Sequence, residues 1–349
     1  MQTSKLMAVA ATTFFLVAAC GPARVAQRRP SPTPVAPSPS ELPTPSPDPS
    51  PTPTPTPVAP VAPPIPPAQP GPLPGQGLPV SADLPYPLLV QVENTLPARP
   101  QAGLGAASMV FEYLTEGGIT RFSALYHRVP GVVGPVRSAR FVSVYLYRRL
   151  GALLMASGGS KWTYNKIFAD PGVPALINDF TPQFFFRWSG RLAPHNVYST
   201  QADLLKAAHL GARNPRADDI LRSDTWPGTT PAVAVSVPDL RSYFAYGGGT
   251  YSVATDGVTQ HDVVYGDLRA QSVVVMHVRQ WTVPYAEDVA GALARDFDLA
   301  SGGAAEMYAH GTVVSGRWST PGSAGITYTD GGGNPVGMPP GLVWVLLAN

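Results

Sequence analysis

Between residues 94 and 140 the sequence places Asn94, Arg99, Gln101, Glu112, Glu116, Arg121, Arg137 and Arg140 at the edges of apolar runs, where strands end and turns begin. Guanidinium forks hold carboxylate or phosphate through paired hydrogen bonds. Arg121, Arg137 and Arg140 therefore predict an anion pocket. The competing reading pairs them with Glu112, Glu116 and Asp179 in structural ion pairs. Glu112 and Glu116 could ligate a divalent cation, act as a base, or orient the arginines. His195, between Pro194 and Asn196, fits a general acid/base, a hydrogen-bonding clamp or a structural role. Because buried charges must be paired or face a ligand, Arg99, Glu112, Glu116, Arg121, Arg137, Arg140 and His195 are expected to converge on one solvent-accessible cleft, with Asn196 in the same ligand-binding set.

Three apolar runs carry these groups. PLLVQVE (87–93), SMVFEYL (108–114) and ITRFSALYH (119–127) are rich in β-branched and aromatic residues and read as strands, the last two forming a hairpin at Gly117-Gly118. FVSVYLYRRL has helical spacing and stops at Gly151. ALLMAS (152–157) is a strand emptying into Gly158-Gly159-Ser160, a turn whose backbone N–H groups could face an anion. TQADLLKAAHL predicts a further helix ending at Gly211.

Alternating strands and helices give residues 81–225 the pattern of an α/β (α+β) sandwich domain. Past Trp226 the runs AVAVSV, TYSVAT, SVVVMHV, EMYAHG, ITYT and LVWVLL predict a mostly-β domain over 226–349. Within it, PYAEDVAGALARDF (284–297) reads as a helix or a long loop. The aromatics of Phe184-Phe185-Phe186 with Trp188, and Trp318 with Trp344, read as core.

The chain begins MQTSKLMAVAATTFFLVAAC, a basic residue and then an apolar stretch too short to span a bilayer. Residues 1–19 are expected to be a signal peptide. Val17-Ala18-Ala19 before Cys20 resembles the bacterial lipobox, in which that cysteine is lipidated. Cys20 is the only cysteine in the 349-residue sequence, so the folded part has no disulfide and no thiolate ligand. The histidines form no HExxH or i, i+4 pair, and no metal site is expected. Residues 30–74 hold 21 of the 42 prolines, so residues 20–80 read as an extended stalk.

Of 24 basic and 22 acidic residues, Lys5, Arg24, Arg28, Arg29, Glu41 and Asp48 precede the folded part and leave 20 of each sign in it. A neutral domain excludes nucleic acid as a bulk electrostatic partner.

Asn94 with ARPQAGL (98–104), VFE (110–112), EGGITRF (116–122), GPVRSAR (134–140), Gly158-Gly159-Ser160, PHN (194–196), GRW (316–318) and the closing PPGLVWVLL resemble the YerB-type bacterial lipoproteins. The resemblance implies a two-domain lipoprotein of unknown function on the extracytoplasmic face of the membrane. Ser108 stands where that family usually has Asp, and Gln271-Ser272 where an Asn precedes the Val-Val strand. The Ser108 departure weakens a metal-dependent mechanism if the family Asp binds a metal. At the level of element order the chain is also similar to the LytR-CpsA-Psr phosphotransferases, a likeness that would put Arg121, Arg137 and Arg140 on a pyrophosphate with Mg²⁺. The expected function is a lipid-anchored envelope binding or accessory protein, with the membrane and a cell-wall polymer or envelope protein as partners and no cofactor. The alternative is a phosphotransferase or hydrolase on a phosphate-bearing precursor, and only that alternative calls for Mg²⁺.

Overall fold

The structure, a computed structural model, describes residues 71–172, 174–211, 221–321 and 325–349. The expected signal peptide, Cys20 and the stalk as far as residue 70 lie outside the described residues. No helix among the described residues is long and apolar enough to cross a membrane. The described chain is already packed at Leu73, which is 5% exposed and lies against Ala102, Val132 and Tyr198.

The three apolar runs are strands: β1 (Leu88–Glu93), β2 (Met109–Leu114) and β3 (Thr120–Tyr126). β3 runs antiparallel between the other two, with Arg121 opposite Glu93 on one side and Tyr113 on the other. The turn from β2 to β3 uses Gly117 and Gly118 at φ 69° and 70°, backbone that glycine adopts without the Cβ penalty. Helix α1 (Phe141–Arg149) follows, and the chain reverses at Gly151 (φ 60°). β4 (Leu153–Ala156) lies parallel to β1, and β5 (Ala175–Ile177) parallel to β4. Between them runs helix α2 (Lys161–Phe168), and α3 (Gln201–Gly211) closes the first half.

The second half is mostly β, as the change of texture past Trp226 predicts. β6 (Ala234–Val237), β7 (Ser242–Gly247) and β8 (Thr250–Thr255) make a small antiparallel sheet. β9 (Ser272–His277) enters the main sheet. Residues 284–297 are neither helix nor long loop: β10 (Gln280–Ala286) and β11 (Leu293–Phe297) pair as a hairpin. Asp288 Oδ1 accepts the N–H groups of Ala290 and Ala292 at 3.0 and 2.9 Å, and Gly291 takes φ 81°, so the Asp-Gly turn overrides the helical spacing of Ala and Leu. β12 (Gly303–Ala309), β13 (Thr312–Ser319), β14 (Thr327–Asp330) and β15 (Val343–Ala348) complete the chain.

The main sheet has eleven strands, ordered β14-β13-β12-β9-β15-β2-β3-β1-β4-β5 with one short strand beside β13. Its centre is β15, parallel to β9 on one side and to β2 on the other, so that Val343 faces both Ser272 and Met109. The last strand thus joins the sheet of the first half to that of the second. Side chains alternate between the faces. One face buries Val90, Phe122 and Trp344 under α3 and the small sheet. The other buries Phe111, Tyr113 and Val345 under α1 and against Phe297 of the hairpin. Trp318 and Trp344 are core, and of the 184–188 aromatics Phe184 is buried while its neighbours are half-buried.

Candidate functional site

β1, β4 and β5 run parallel and finish at one edge, where Glu93 is the last residue of β1 and Gly158 and Asp179 stand just past the ends of β4 and β5. In open α/β sheets, polar groups at the carboxyl ends of parallel strands are the ones not consumed by the ladder or the core. Arg121, at the start of the antiparallel β3, projects at this same end because it is paired with Glu93. The loop 134–140 lies across it, held where the Arg137 N–H bonds Gln91 O and the Ser157 N–H bonds Arg137 O, both at 2.9 Å.

Glu93, which sequence reasoning passed over, is an anchor of this edge. Its side chain is 2% exposed and lies 3.0 Å from His195 Nδ1 and 3.3 Å from Arg137 Nε, and its Oε1 accepts the Thr95 hydroxyl at 2.9 Å. A signal existed: Gln91 and Glu93, at strand spacing in a buried run, put two polar groups on one face. Arg140, the N-cap residue of α1, binds both oxygens of Glu116, Nε to Oε2 at 2.7 Å, and its Nη1 lies 3.5 Å from Glu287. Burial alone would raise the Glu116 carboxyl, but the Arg140 hydrogen bonds and charge, with the charge of Arg121, bring it down to about 2. Burial works against the Arg140 charge too, yet Glu116 and Glu287 outweigh it and hold the guanidinium above its ordinary value.

Glu287 fills a place that the sequence offers to a ligand. Ser160 and Lys161 are not a free loop: Ser160 caps α2, accepting the Thr163 N–H at 3.1 Å. Ser160 and Thr163 hydroxyls each donate to Glu287 at 3.1 Å, so the chain's own carboxylate occupies this helix N-terminus. Burial pushes the Glu287 carboxyl up, with Arg140 opposing.

Arg121 is unlike its neighbours. It is 3% exposed, it forms one hydrogen bond, Nη1 to Ser138 O at 3.0 Å, and no ion pair with a carboxylate is formed by it among the described residues. Burial, then the like charge of Arg140, lower its pKa to about 10. Its Nε is a buried donor without a partner, as are Gln91 Nε2 and Arg137 Nε, the last lying near Glu93 without aiming its N–H at it. Gln91 Oε1 is taken by the Tyr113 and Ser123 hydroxyls at 2.7 and 3.0 Å, which fixes the amide so that Nε2 is the free end. Three donors, two of them cationic, are left over on one face of the sheet. Arg137, with its side chain 28% exposed, is where the cluster reaches solvent.

The remaining predicted residues lie elsewhere. Glu112 is one residue from Tyr113 on β2 and so points to the opposite face, where its Oε2 accepts the Trp344 indole N–H at 2.9 Å. Arg99 donates to Asn94 Oδ1 at 3.0 Å and to Asp256 Oδ2 at 2.8 Å, clamping the loop after β1 to the small sheet. Asn196 Oδ1 accepts from Arg187 Nη1 at 2.7 Å. His195, Arg137, Arg121, Arg140 and Glu116 are thus brought to one edge, without Arg99, Glu112 or Asn196. A cleft of about 670 Å³ lies outside this edge, lined by Asp83, Ser108, His127, Arg128 and Arg222 among others. Its polar groups are answered by the chain: Ser108 Oγ lies 3.0 Å from His127 Nδ1, and Arg222 donates to Ser108 O and Gly341 O at 3.1 and 2.9 Å.

Residues 77–213 match the family model described as "Protein of unknown function (DUF3048) N-terminal domain", and residues 234–345 match its C-terminal counterpart. A Bacillus subtilis (strain 168) protein named "Putative lipoprotein YerB" is 28% identical over 274 residues, 74% of this chain and 80% of that protein. The crystal structure of the Bacillus subtilis YerB protein superposes with a TM-score of 0.64 at 26% identity, covering 79% of this chain and 95% of that one.

Proposed function

We propose, from a chain that belongs to the two-domain DUF3048 family, related to YerB over both halves, that it is a lipid-anchored extracytoplasmic binding protein. In this reading Cys20 carries the anchor, the proline-rich segment is the tether, and the arginine edge of the first half takes an anionic group, phosphate or carboxylate. The observation that carries it is Arg121: a buried cation that forms no ion pair among the described residues, beside two further buried donors without hydrogen-bond acceptors. A buried charge costs several kcal/mol unless it is paired. An anion bonded to Arg121 Nε, Arg137 Nε and Gln91 Nε2 would satisfy all three at once.

The phosphotransferase alternative draws no support from this edge. The two carboxylates that the sequence offers it are not free beside the arginines: Glu116 is bound by Arg140 and Glu112 faces the other side of the sheet.

The test is thermal unfolding of the full chain in detergent with increasing phosphate and pyrophosphate, for wild type and Arg121→Met. Wild type is expected to gain up to about 2.7 kcal/mol at a hundred times the dissociation constant. Arg121→Met should unfold no earlier than wild type without ligand, since a buried unpaired charge has been removed, and should show no gain with either anion. An equal gain in both proteins, or none in wild type, would leave the arginines as scaffold. The anchor is tested separately by fractionation of Cys20→Ala, whose unchanged membrane association would remove the lipid from the account.

A further inference from the structure

Next to the arginine edge, beyond Ser138, the surface changes from cationic to aromatic. Ser138 spans the two: its carbonyl accepts from Arg121, and its hydroxyl lies 3.4 Å from the point where a Cβ on Gly158 would stand. Asp179 Oδ2 and the Tyr164 hydroxyl surround the same point at 3.5 and 3.8 Å. The absence of a side chain at Gly158 therefore leaves a small hollow walled by two hydroxyls and a carboxylate. Tyr164 donates to Asp179 Oδ2 at 2.5 Å, which leaves Oδ1 of this exposed carboxylate to accept from another group.

Tyr164 leads outward to Phe168 and Phe180. The three rings touch in a triangle with centroids 5.1 to 6.0 Å apart, Phe180 edge-on to both others. Phe168 and Phe180 are 54% and 56% exposed, though each is a large apolar ring that burial would stabilise. α2 and the turn after β5 thus hold an uncovered aromatic platform, an exposed carboxylate and, through Ser138, the buried cations in a row.

Resting on the anion reading of the Arg121 edge, we infer that the ligand is an anionic saccharide. The electron-rich ring faces suit the C–H faces of a sugar, whose hydrogens carry partial positive charge. Asp179 suits a sugar hydroxyl, which can donate to it. Arg121 and Arg137 take the phosphate or carboxylate substituent. Charge order chooses this ligand over a bare anion or a neutral glycan. A bare phosphate reaching towards Asp179 meets like charge, and a neutral glycan leaves the Arg121 donors unanswered. A sugar ring between the two separates the negative groups and satisfies both ends.

The experiment is calorimetric titration of the full chain in detergent with glucose 1-phosphate, glucuronate, inorganic phosphate and glucose. Wild type, the Phe168→Ala/Phe180→Ala double variant and Arg121→Met are compared. Binding of one or both anionic sugars about tenfold more tightly than phosphate is expected, with no detectable binding of glucose. Which of the two binds tells a phosphosugar from a uronate. The double variant should lose that preference and keep phosphate binding unchanged, and Arg121→Met should lose every anion. Equal affinity of wild type for phosphate and both anionic sugars, or an undiminished preference in the double variant, overturns the saccharide and leaves the anion site standing. No binding of any anion to wild type overturns the anion reading and this inference together.

Discussion

Glu112 and Trp344 are hydrogen-bonded across 232 residues of chain, carboxylate Oε2 to indole Nε1 at 2.9 Å, between two strands that pair in parallel at the centre of the main sheet. The contact joins the first half to the last strand inside the core. The other carboxylate oxygen of Glu112, Oε1, is buried without a hydrogen-bond partner. Burial pushes this carboxyl from 4.5 to about 7, against the smaller opposing pull of Trp344.

That shift fixes a pH dependence. The folded pKa lies above the unfolded one, so between about 4.5 and 7 the folded chain holds more protons than the unfolded chain. The stability from this group is fully present below 4.5 and lost as the pH rises through about 7. Glu112→Gln keeps an acceptor for Trp344 and removes the charge. Urea unfolding should show the variant more stable than wild type at about pH 8 by up to about 3 kcal/mol, with the difference vanishing near pH 4.5. A variant weaker than wild type at the higher pH would mean that the carboxylate is paired in the core.

Glu116 has the opposite sign. Its folded pKa, about 2, lies below its ordinary 4.5, so its contribution is present above 4.5 and is lost as the pH falls through about 2. Glu116→Gln breaks the two-bond pair with Arg140 and should cost about 3 kcal/mol near neutral pH. The cost should shrink in acid, because the unfolded chain takes up its proton near 4.5 while the folded carboxylate must stay ionised down to about 2 to keep the pair. Parallel denaturation curves at about pH 7 and about pH 3 check this, and an equal deficit at both would reduce the pair to packing.

How legible this edge was depends on the range of each contact. β1 to β3 and α1 were readable because runs such as LLVQVE and FVSVYLYRR carry their own periodicity and end on glycines or charges. α2 was not: KWTYNKIF is only eight residues, and its start, capped by Ser160, reads equally well as a loop after two glycines. Glu93 and Glu287 were invisible as partners because His195 lies 102 positions from the first, and Ser160 and Thr163 lie 127 and 124 from the second. Arg99 looked like one more site arginine, but its acid is Asp256 in the second half, and no local pattern announces a pairing across that distance. The cationic character of the edge was in the sequence; which arginine lacks a partner was not.

Helix α2 offers a local test of that capping. Ser160 accepts from the Thr163 N–H and donates to Glu287, so one hydroxyl links the helix start to the hairpin turn. Ser160→Ala removes both bonds and should cost about 1 to 2 kcal/mol. Ser160→Asp restores the cap but sets a second carboxylate against Glu287, and it should be no more stable than the alanine variant near neutral pH. If aspartate rescues fully, Glu287 is protonated or has moved aside.

Gly158 and Gly117 both have positive φ, and comparing them separates local strain from the hollow beside Ser138. Gly117, at φ 69°, has nothing within 4 Å of an added Cβ, so Gly117→Ala meets only the left-handed backbone penalty, about 1 to 2 kcal/mol. Gly158 stands at φ 126°, outside the left-handed helical region in a range that residues with a Cβ rarely enter. A Cβ there would touch Ser138 Oγ and Asp179 Oδ2 at 3.4 and 3.5 Å, ordinary contact distances that add no clash but occupy the hollow. Gly158→Ala should therefore cost more, about 2 to 3 kcal/mol by chemical denaturation. If the two substitutions cost the same, the backbone at 158 relaxes. The turn between β4 and α2 is then not rigid enough to hold Ser138, Asp179 and Tyr164 around one point.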